Sequence, residues 1–240
     1  MPSNAYVALS GPPRSGKDSV ADHLIKHYGY HRVAFADAIR AACANALGMT
    51  IDEWARAPKD VLRPQLQGLG HNARWYDADF WIKKLGRQIE GEQQRHQGGY
   101  CIHGHDGLRA PAPADPPWVH PCRIVVTDCR YVNEVEWLRG RHFTLIRLDR
   151  PADEIIDQML SENPMANPAA LAEQLAAPSE HDLDALPSSK WDWMFISRKG
   201  QLHVKIAQTI GVLSLGLTSP SRAAIETMRL REEKGLPPYA

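Results

Sequence analysis

Residues 11–17 read Gly-Pro-Pro-Arg-Ser-Gly-Lys, a glycine-bounded run ending in lysine with the spacing of a phosphate-binding loop. Gly11 and Gly16 let the backbone wrap closely around phosphate oxygens. Successive N–H groups and a following helix N-terminus supply partial positive charge. Lys17 adds a mobile cation for the outer phosphates. The next residue is commonly a Ser or Thr that holds magnesium, but here it is Asp18, and a hydroxyl comes only at Ser19.

A second group lies in Val125-Val-Thr-Asp-Cys-Arg130. An aliphatic strand ending in a carboxylate is where phosphate-loop proteins hold magnesium, which suits Asp128. The same residue would equally cap a helix beginning near Val132. Arg130, two residues on, is in reach of a phosphate at the carboxyl edge of a sheet. A third group, Cys101, His103, His105, His120 and Cys122, has zinc-competent side chains but lacks the usual Cys-x₂-Cys knuckle. The segment holding it reads instead as a mobile cover.

The elements that must position these residues alternate between apolar strands and longer helical patterns, the pattern of a parallel sheet covered by helices. Tyr6–Leu9 reads as a strand entering the loop, and Asp18–Ile25 as the helix leaving it. Arg32–Phe35 reads as a second strand, followed by a helix over Ala36–Leu47 that stops at Gly48. Short helices are expected at 51–57 and 63–70, and a longer one from Asp79 to about Gln94. Strands are expected at Arg123–Thr127, Phe143–Leu148 and Trp193–Ile196, and helices at Asn133–Arg139 and from Leu202 to about Leu213. Asn163-Pro164 and Asn167-Pro168 break the helical stretch 152–176, which suggests a lid over about 150–182. Gly98–Pro121 is rich in Gly, Pro and His and reads as a flexible flap, while 214–240 reads as a tail or surface helix.

With 240 residues, the chain can bury one α/β core with a small appended lid. Its 28 basic and 28 acidic residues give no overall pull toward nucleic acid or anionic membrane. No run approaches the roughly 18 apolar residues of a spanning helix. Met1-Pro-Ser-Asn leads straight into the first strand without a signal pattern, and the four cysteines are irregularly placed. A cytoplasmic protein is expected.

Ser10–Ser19, taken with Thr127-Asp-Cys-Arg-Tyr-Val-Asn-Glu-Val-Glu-Trp-Leu138, resembles the deoxynucleoside monophosphate kinases of bacteriophages. That family carries R-S-G-K-D-[ST] and a later strand ending in D-x-R followed by N-E. Animal-type phosphomevalonate kinases share both signatures. Phe35-Ala-Asp37, Gln67–Gly70, Asp79-Phe-Trp81 and Ser179–Asp184 match further, and the resemblance covers residues 5 to about 213.

The resemblance implies an α/β, three-layer phosphate-loop sandwich around a mostly parallel five-stranded sheet, with a helical acceptor-binding region at about 37–97. It implies ATP as donor and Mg²⁺ as cofactor, in the host cytoplasm if the chain is phage-encoded. Gly11, Pro12, Pro13, Arg14, Ser15, Gly16, Lys17, Asp18 and Ser19 would enclose the donor phosphates. Arg147 and Arg150 would contribute from the lid. Lys17, Arg14 and Arg130 would neutralise the migrating group, with the metal near Asp18, Ser19 and Asp128. Asp18 would bind the metal, directly or through water, or orient Lys17 and an acceptor group.

The acceptor pocket would draw on Asp37, Arg40, Arg63, Arg74, Trp75, Asp79, Trp81, Lys84, Arg130, Glu180 and His181. Arginine suits a phosphate and an aromatic ring suits a base. Trp81 and Phe80 also fit core positions. The expected partner is therefore a small-molecule nucleotide acceptor rather than nucleic acid or membrane, with self-association as a homodimer left open. Three functions compete: a nucleoside monophosphate kinase; a kinase of phosphomevalonate, of another small phosphate or of a modified base in DNA; and a nucleotide-binding regulatory protein without turnover.

Overall fold

Alternation along the strands decides how the sheet is covered. In β1 (Tyr6–Ser10), Val7 and Leu9 are buried in one apolar cluster and Ala8 in another, as a period of two requires. Strand β3 (Arg123–Cys129) repeats this, with Ile124 and Val126 opposed to Val125. Both faces are therefore apolar, and each needs a layer of helices.

The structure, a computed structural model, describes residues 5–57, 59–97, 122–176, 182–196, 198 and 200–214. The expected flap, the zinc-competent residues of 101–120, the 177–181 stretch with Glu180 and His181, and the tail beyond 214 lie outside these residues.

The remaining strands are β2 (Tyr30–Val33), β4 (Thr144–Asp149) and β5 (Trp193–Ile196). Their order is β2-β3-β1-β4-β5, and every pairing is parallel, where the expectation was a mostly parallel sheet. The helices are α1 (Lys17–Tyr28), α2 (Phe35–Ala46), α3 (Ile51–Arg56), α4 (Lys59–Tyr76), α5 (Phe80–Gln97), α6 (Val132–Gly140), α7 (Ala152–Glu162), α8 (Pro168–Leu175) and α9 (Leu202–Ser214).

Val20, Ala21 and Leu24 of α1 and Val212 and Leu213 of α9 pack on the face carrying Val7 and Leu9. Phe35, Ile39, Trp81, Leu85, Val135 and Leu138, from α2, α5 and α6, cover the face carrying Ala8. The α/β three-layer expectation holds.

β1 sits centrally. The chain leaves it for β2 and β3 on one side and later for β4 and β5 on the other. The carboxyl end of β1 is therefore the point where strand order reverses, and open α/β sheets form their ligand crevice there.

Most element ends shift by one to three residues from expectation, and two differences have a clear physical cause. The second strand starts at Tyr30 and ends at Val33, because Tyr30 and Val33 are the buried positions and Phe35 already belongs to α2. The short helix expected at 63–70 is 18 residues long and runs through Pro64. Leu62, Leu66, Leu69 and Ala73 form a helical stripe against the core. Burial of that stripe outweighs the ~3 kcal/mol cost of an internal proline. The break between α7 and α8 falls at residues 163–167, as the two Asn-Pro pairs predict.

Candidate functional site at the carboxyl edge of the sheet

The loop after β1 is built on left-handed backbone. Gly11 has φ 141°, Arg14 φ 59° and Gly16 φ 93°. A Cβ on Gly11 would lie 2.0 Å from the Leu148 carbonyl oxygen of β4. Only glycine lets the loop seat that closely on the sheet. Ser15 N–H donates to the Pro12 carbonyl at 3.3 Å, closing the turn. Lys17 is buried, and its Nζ donates to the same carbonyl at 3.1 Å, which draws the ammonium back over the loop. The N-cap of α1 is Gly16, which brings no side chain to accept from the first-turn amides. Ser15 Oγ is buried without a hydrogen-bond partner among the described residues. Asp18 is exposed and Ser19 half-buried on the first turn, with Pro12 and Pro13 half-buried in the loop.

The α7 segment reaches this loop. Arg14 forms an ion pair with Glu162 at the end of α7, and Arg150 Nη1 donates to the Arg14 carbonyl at 3.0 Å. Arg150 also bonds Gln158, whose Nε2 donates to Glu162 at 2.8 Å. The hydrogen bonds from Gln158 and then from Arg14 hold the Glu162 carboxyl below the usual range. Arg147 points elsewhere: it bonds Asp149 at 2.7 Å, the Leu183 carbonyl at 3.0 Å and Asp184 at 2.5 Å. Burial opposes its charge, but the two carboxylates outweigh that and raise its pKa. Of the two arginines expected over the donor, the structure brings Arg150 to the loop and commits Arg147 to the segment before β5.

Across β1, the register with β3 slips between Ala8 and Ser10, so that Ser10 pairs with Cys129. Ser10 Oγ closes this irregularity onto the Cys129 carbonyl at 2.9 Å. Asp128 lies at the slip, where bulges commonly re-aim side chains. Its two oxygens accept from the amides of Phe35 at 2.8 Å and Ala36 at 2.7 Å. Asp128 is thus a cap, but for α2 and not for the helix beginning at Val132, which corrects the capping alternative. Burial raises its pKa, against the pull of those two amides and of Arg130.

Helix α6 is closed by other carboxylates. Glu134 Oε2 accepts from the amides of Arg130 at 2.8 Å and Tyr131 at 3.2 Å, and Asp182 accepts from Val132 at 3.0 Å.

The residues expected around an acceptor divide into three sets. Asp37, on the first turn of α2, bridges Arg32 of β2 at 2.8 Å and Arg40 of α2 at 2.7 Å. Arg74 donates to the Gly70 carbonyl and to Glu134 Oε1, both at 3.2 Å, and its guanidinium lies 4.0 Å from the Tyr131 ring centroid. Asp79 accepts from Asn133 Nδ2 at 3.0 Å, joining the start of α5 to α6.

Trp81 is a core residue: it is buried, and its Nε1 donates to the Gly70 carbonyl at 3.1 Å. Phe80 packs edge-on to it, with Lys84 5.7 Å from the Phe80 ring. Trp75 by contrast is 85% exposed at the end of α4. The Arg63 side chain lies outside the described residues.

Glu162 carries no signal in the sequence, and Glu134 enters there only as the glutamate of the N-E pair, without a role. Glu134 stands three residues after the N-cap, the acid position of a capping box, but Tyr131 in place of Ser or Thr hides the pattern. Burial raises its pKa to about 7, against the Arg130 amide and the Arg74 charge. Among the described residues no cluster of three or more His, Cys, Asp or Glu side chains is placed to hold a metal, and no helix is long and apolar enough to cross a membrane.

No family model matches the chain. It is 26% identical over 145 residues to "Uncharacterized protein ORF77" of Ictalurid herpesvirus 1 (strain Auburn), covering 60% of this chain and 50% of that protein. It is 24% identical over 149 residues to "Putative deoxynucleotide monophosphate kinase" of Acanthamoeba polyphaga mimivirus, covering 60% of this chain and 74% of that protein. The chain thus spans half the length of the herpesvirus relative. Among solved structures it is similar to TT1252 from Thermus thermophilus, with a TM-score of 0.45, 17% identity, and 88% of this chain and 97% of that one covered. It is also similar to a sugar kinase from Janibacter sp. HTCC2649, with a TM-score of 0.39, 17% identity, and 89% and 98% covered. At these scores neither structural likeness bears on activity.

Proposed function

We propose that the chain is a phosphotransferase that moves the γ-phosphoryl group of ATP to the phosphate of a (deoxy)nucleoside 5′-monophosphate. One observation carries this reading: a glycine-built loop at the strand-order reversal, leading into α1 without a side-chain cap on its N-terminus and with a buried Lys17 at its base. The distant similarity to the mimivirus protein supports kinase chemistry.

The donor set fits a polyphosphate. It consists of backbone amides at a helix N-terminus, Lys17 and Arg14, with Gly11 where a Cβ would strike the Leu148 carbonyl and push the loop off the sheet. Asp18 and Ser19 on the first turn of α1 are the side chains suited to Mg²⁺, which would neutralise phosphate charge when bound. Asp128, with both oxygens on α2, serves this region first by fixing where α2 begins.

In the reaction an acceptor phosphate oxygen forms a bond to the γ-phosphorus, and the bond from that phosphorus to the β–γ bridging oxygen breaks. ADP leaves with that electron pair. The attacking oxygen is largely deprotonated at neutral pH, so the work falls to positioning and charge neutralisation. We assign this to Lys17 and Arg14 on the donor side and to Arg130 between the two substrates. Arg40 and the exposed Trp75 are the acceptor-side candidates for phosphate and base.

A coupled ADP-release assay across the natural nucleoside monophosphates and phosphomevalonate tests the reading. Turnover with one or more nucleoside monophosphates is expected. Turnover with phosphomevalonate alone would move the acceptor outside nucleotides, and ATP binding without any turnover would support a regulatory nucleotide-binding protein instead.

A further inference from the structure

We infer that Glu134 is the positioning residue of the acceptor side, holding the Arg130 turn and the Arg74 guanidinium in one arrangement. This rests on the phosphotransferase reading above and deepens it. Glu134 is 1% exposed, and donors from two other segments meet on its carboxylate. Oε1 accepts from Arg74 of α4 at 3.2 Å. Oε2 accepts from the amides of Arg130 and Tyr131 in the turn between β3 and α6. Tyr131 in turn lies under the Arg74 guanidinium, so the ring, the arginine and the carboxylate form a closed set with the Gly70 carbonyl.

Helix capping alone does not explain this arrangement. A cap needs an oxygen near the first-turn amides, and an exposed Ser or Asp provides one at no cost in buried charge. Here a carboxylate is buried and paired with an arginine 60 residues away. Burying two charges is seldom stabilising compared with apolar packing, so such a pair points to a geometric duty. The duty that fits the location is to fix the backbone that carries Arg130 at the carboxyl edge, immediately after the Asp128 bulge. Arg74, held by the Gly70 carbonyl and the Glu134 carboxylate, acts as a brace from α4.

The test compares wild type with E134Q, R74M and the double variant, after thermal melting has confirmed that each is folded at the assay temperature. Glutamine retains an oxygen for the Arg130 and Tyr131 amides but turns an NH₂ toward Arg74, so the turn survives while the brace is lost. ATP affinity, read by titration, is expected to stay within about twofold, since the donor loop lies on other elements. At pH 8, where Glu134 is ionised, KM for the acceptor monophosphate is expected to rise by about tenfold in E134Q and in R74M, which corresponds to loss of one charge-assisted bond. The double variant is expected to be no worse than either single one.

A purely stabilising role would lower the melting temperature and leave the KM of the folded fraction unchanged. An acceptor KM in E134Q within twofold of wild type, or additive effects in the double variant, overturns the inference while leaving the phosphotransferase reading intact. A wild-type chain that turns over no monophosphate overturns that reading and this inference with it.

Discussion

Helices α1 and α2 both leave the carboxyl edge of the same sheet, yet their N-termini are treated in opposite ways. That of α1 follows a glycine with left-handed backbone and has no side-chain cap. That of α2 is closed by Asp128, which reaches from β3 to take the Phe35 and Ala36 amides. Each helix start presents unpaired N–H groups and a partial positive charge. A carboxylate supplied by the protein satisfies one set, while the other opens onto the glycine-built loop, with Lys17 as its first helical residue. The protein closes one of these helix starts itself, and on the phosphotransferase reading the other is offered to the donor phosphates. Helix α6, closed by Glu134 and Asp182, follows the α2 pattern.

This contrast can be broken at either end. The largest effect is expected from Lys17→Ala, which should lower phosphoryl transfer by on the order of 10³-fold in the ADP-release assay with an unchanged circular dichroism spectrum. Wild-type rates in this variant would remove the donor site proposed for the α1 loop.

Gly11→Ala should cost roughly 3 kcal/mol of stability and ATP binding together, because its Cβ meets a backbone carbonyl that cannot swing aside. Denaturant unfolding and nucleotide titration read the two effects, and an unaffected melt would show that the loop seats differently.

The third effect concerns pH. Glu134 titrates at about 7 in the folded chain against an ordinary 4.5, facing Arg74 from α4, Arg130 and Tyr131 from the turn, and Asp128 and Cys129 from β3. Between those values the folded state binds the extra proton, so this group's contribution is present at low pH and is lost as pH rises through 7. The melting temperature of wild type relative to E134Q should fall by on the order of 5 °C across that window. A pH-independent difference would mean that Glu134 stays ionised throughout.

Asp128→Asn should lower stability by about 1–2 kcal/mol, since one amide oxygen cannot serve both α2 donors as a charged acceptor does. Here the contrast is sharpened. Activity that falls in proportion to the folded fraction leaves Asp128 as a cap, whereas a much larger loss at full folding gives it a metal-holding duty as well.

The smallest effect belongs to Glu162→Gln. Freeing Arg14 from an exposed ion pair should lower KM for ATP by no more than about threefold, as surface pairs are worth little. A raised KM would mean that Glu162 helps to place Arg14.

The readable parts of the chain share one property: their cause lies within a few residues. The glycines and lysine of 11–17, the alternation of Val7, Ala8 and Leu9, and the Asn-Pro pairs between α7 and α8 each act through local backbone geometry. Boundaries were lost where packing overrode a local signal. Pro64 lies inside α4 because Leu62, Leu66, Leu69 and Ala73 bury a common stripe. Trp81 read as core ahead of base platform, and the structure places it there, buried with its Nε1 on the carbonyl of Gly70, 11 residues away.

The sequence by itself therefore determined that a strand, a phosphate-type loop and a helix follow one another, and that a parallel sheet covered on both faces would hold them. The tertiary structure alone decided what each charged side chain faces. Asp128 meets α2 across 93 positions of chain, Arg14 meets Glu162 across 148, and Arg74 meets Glu134 across 60. The physical reason is the range of the forces involved. Backbone torsion and hydrophobic period act between neighbours and are written locally, whereas an ion pair or a cap depends on which elements the folded sheet brings to one edge.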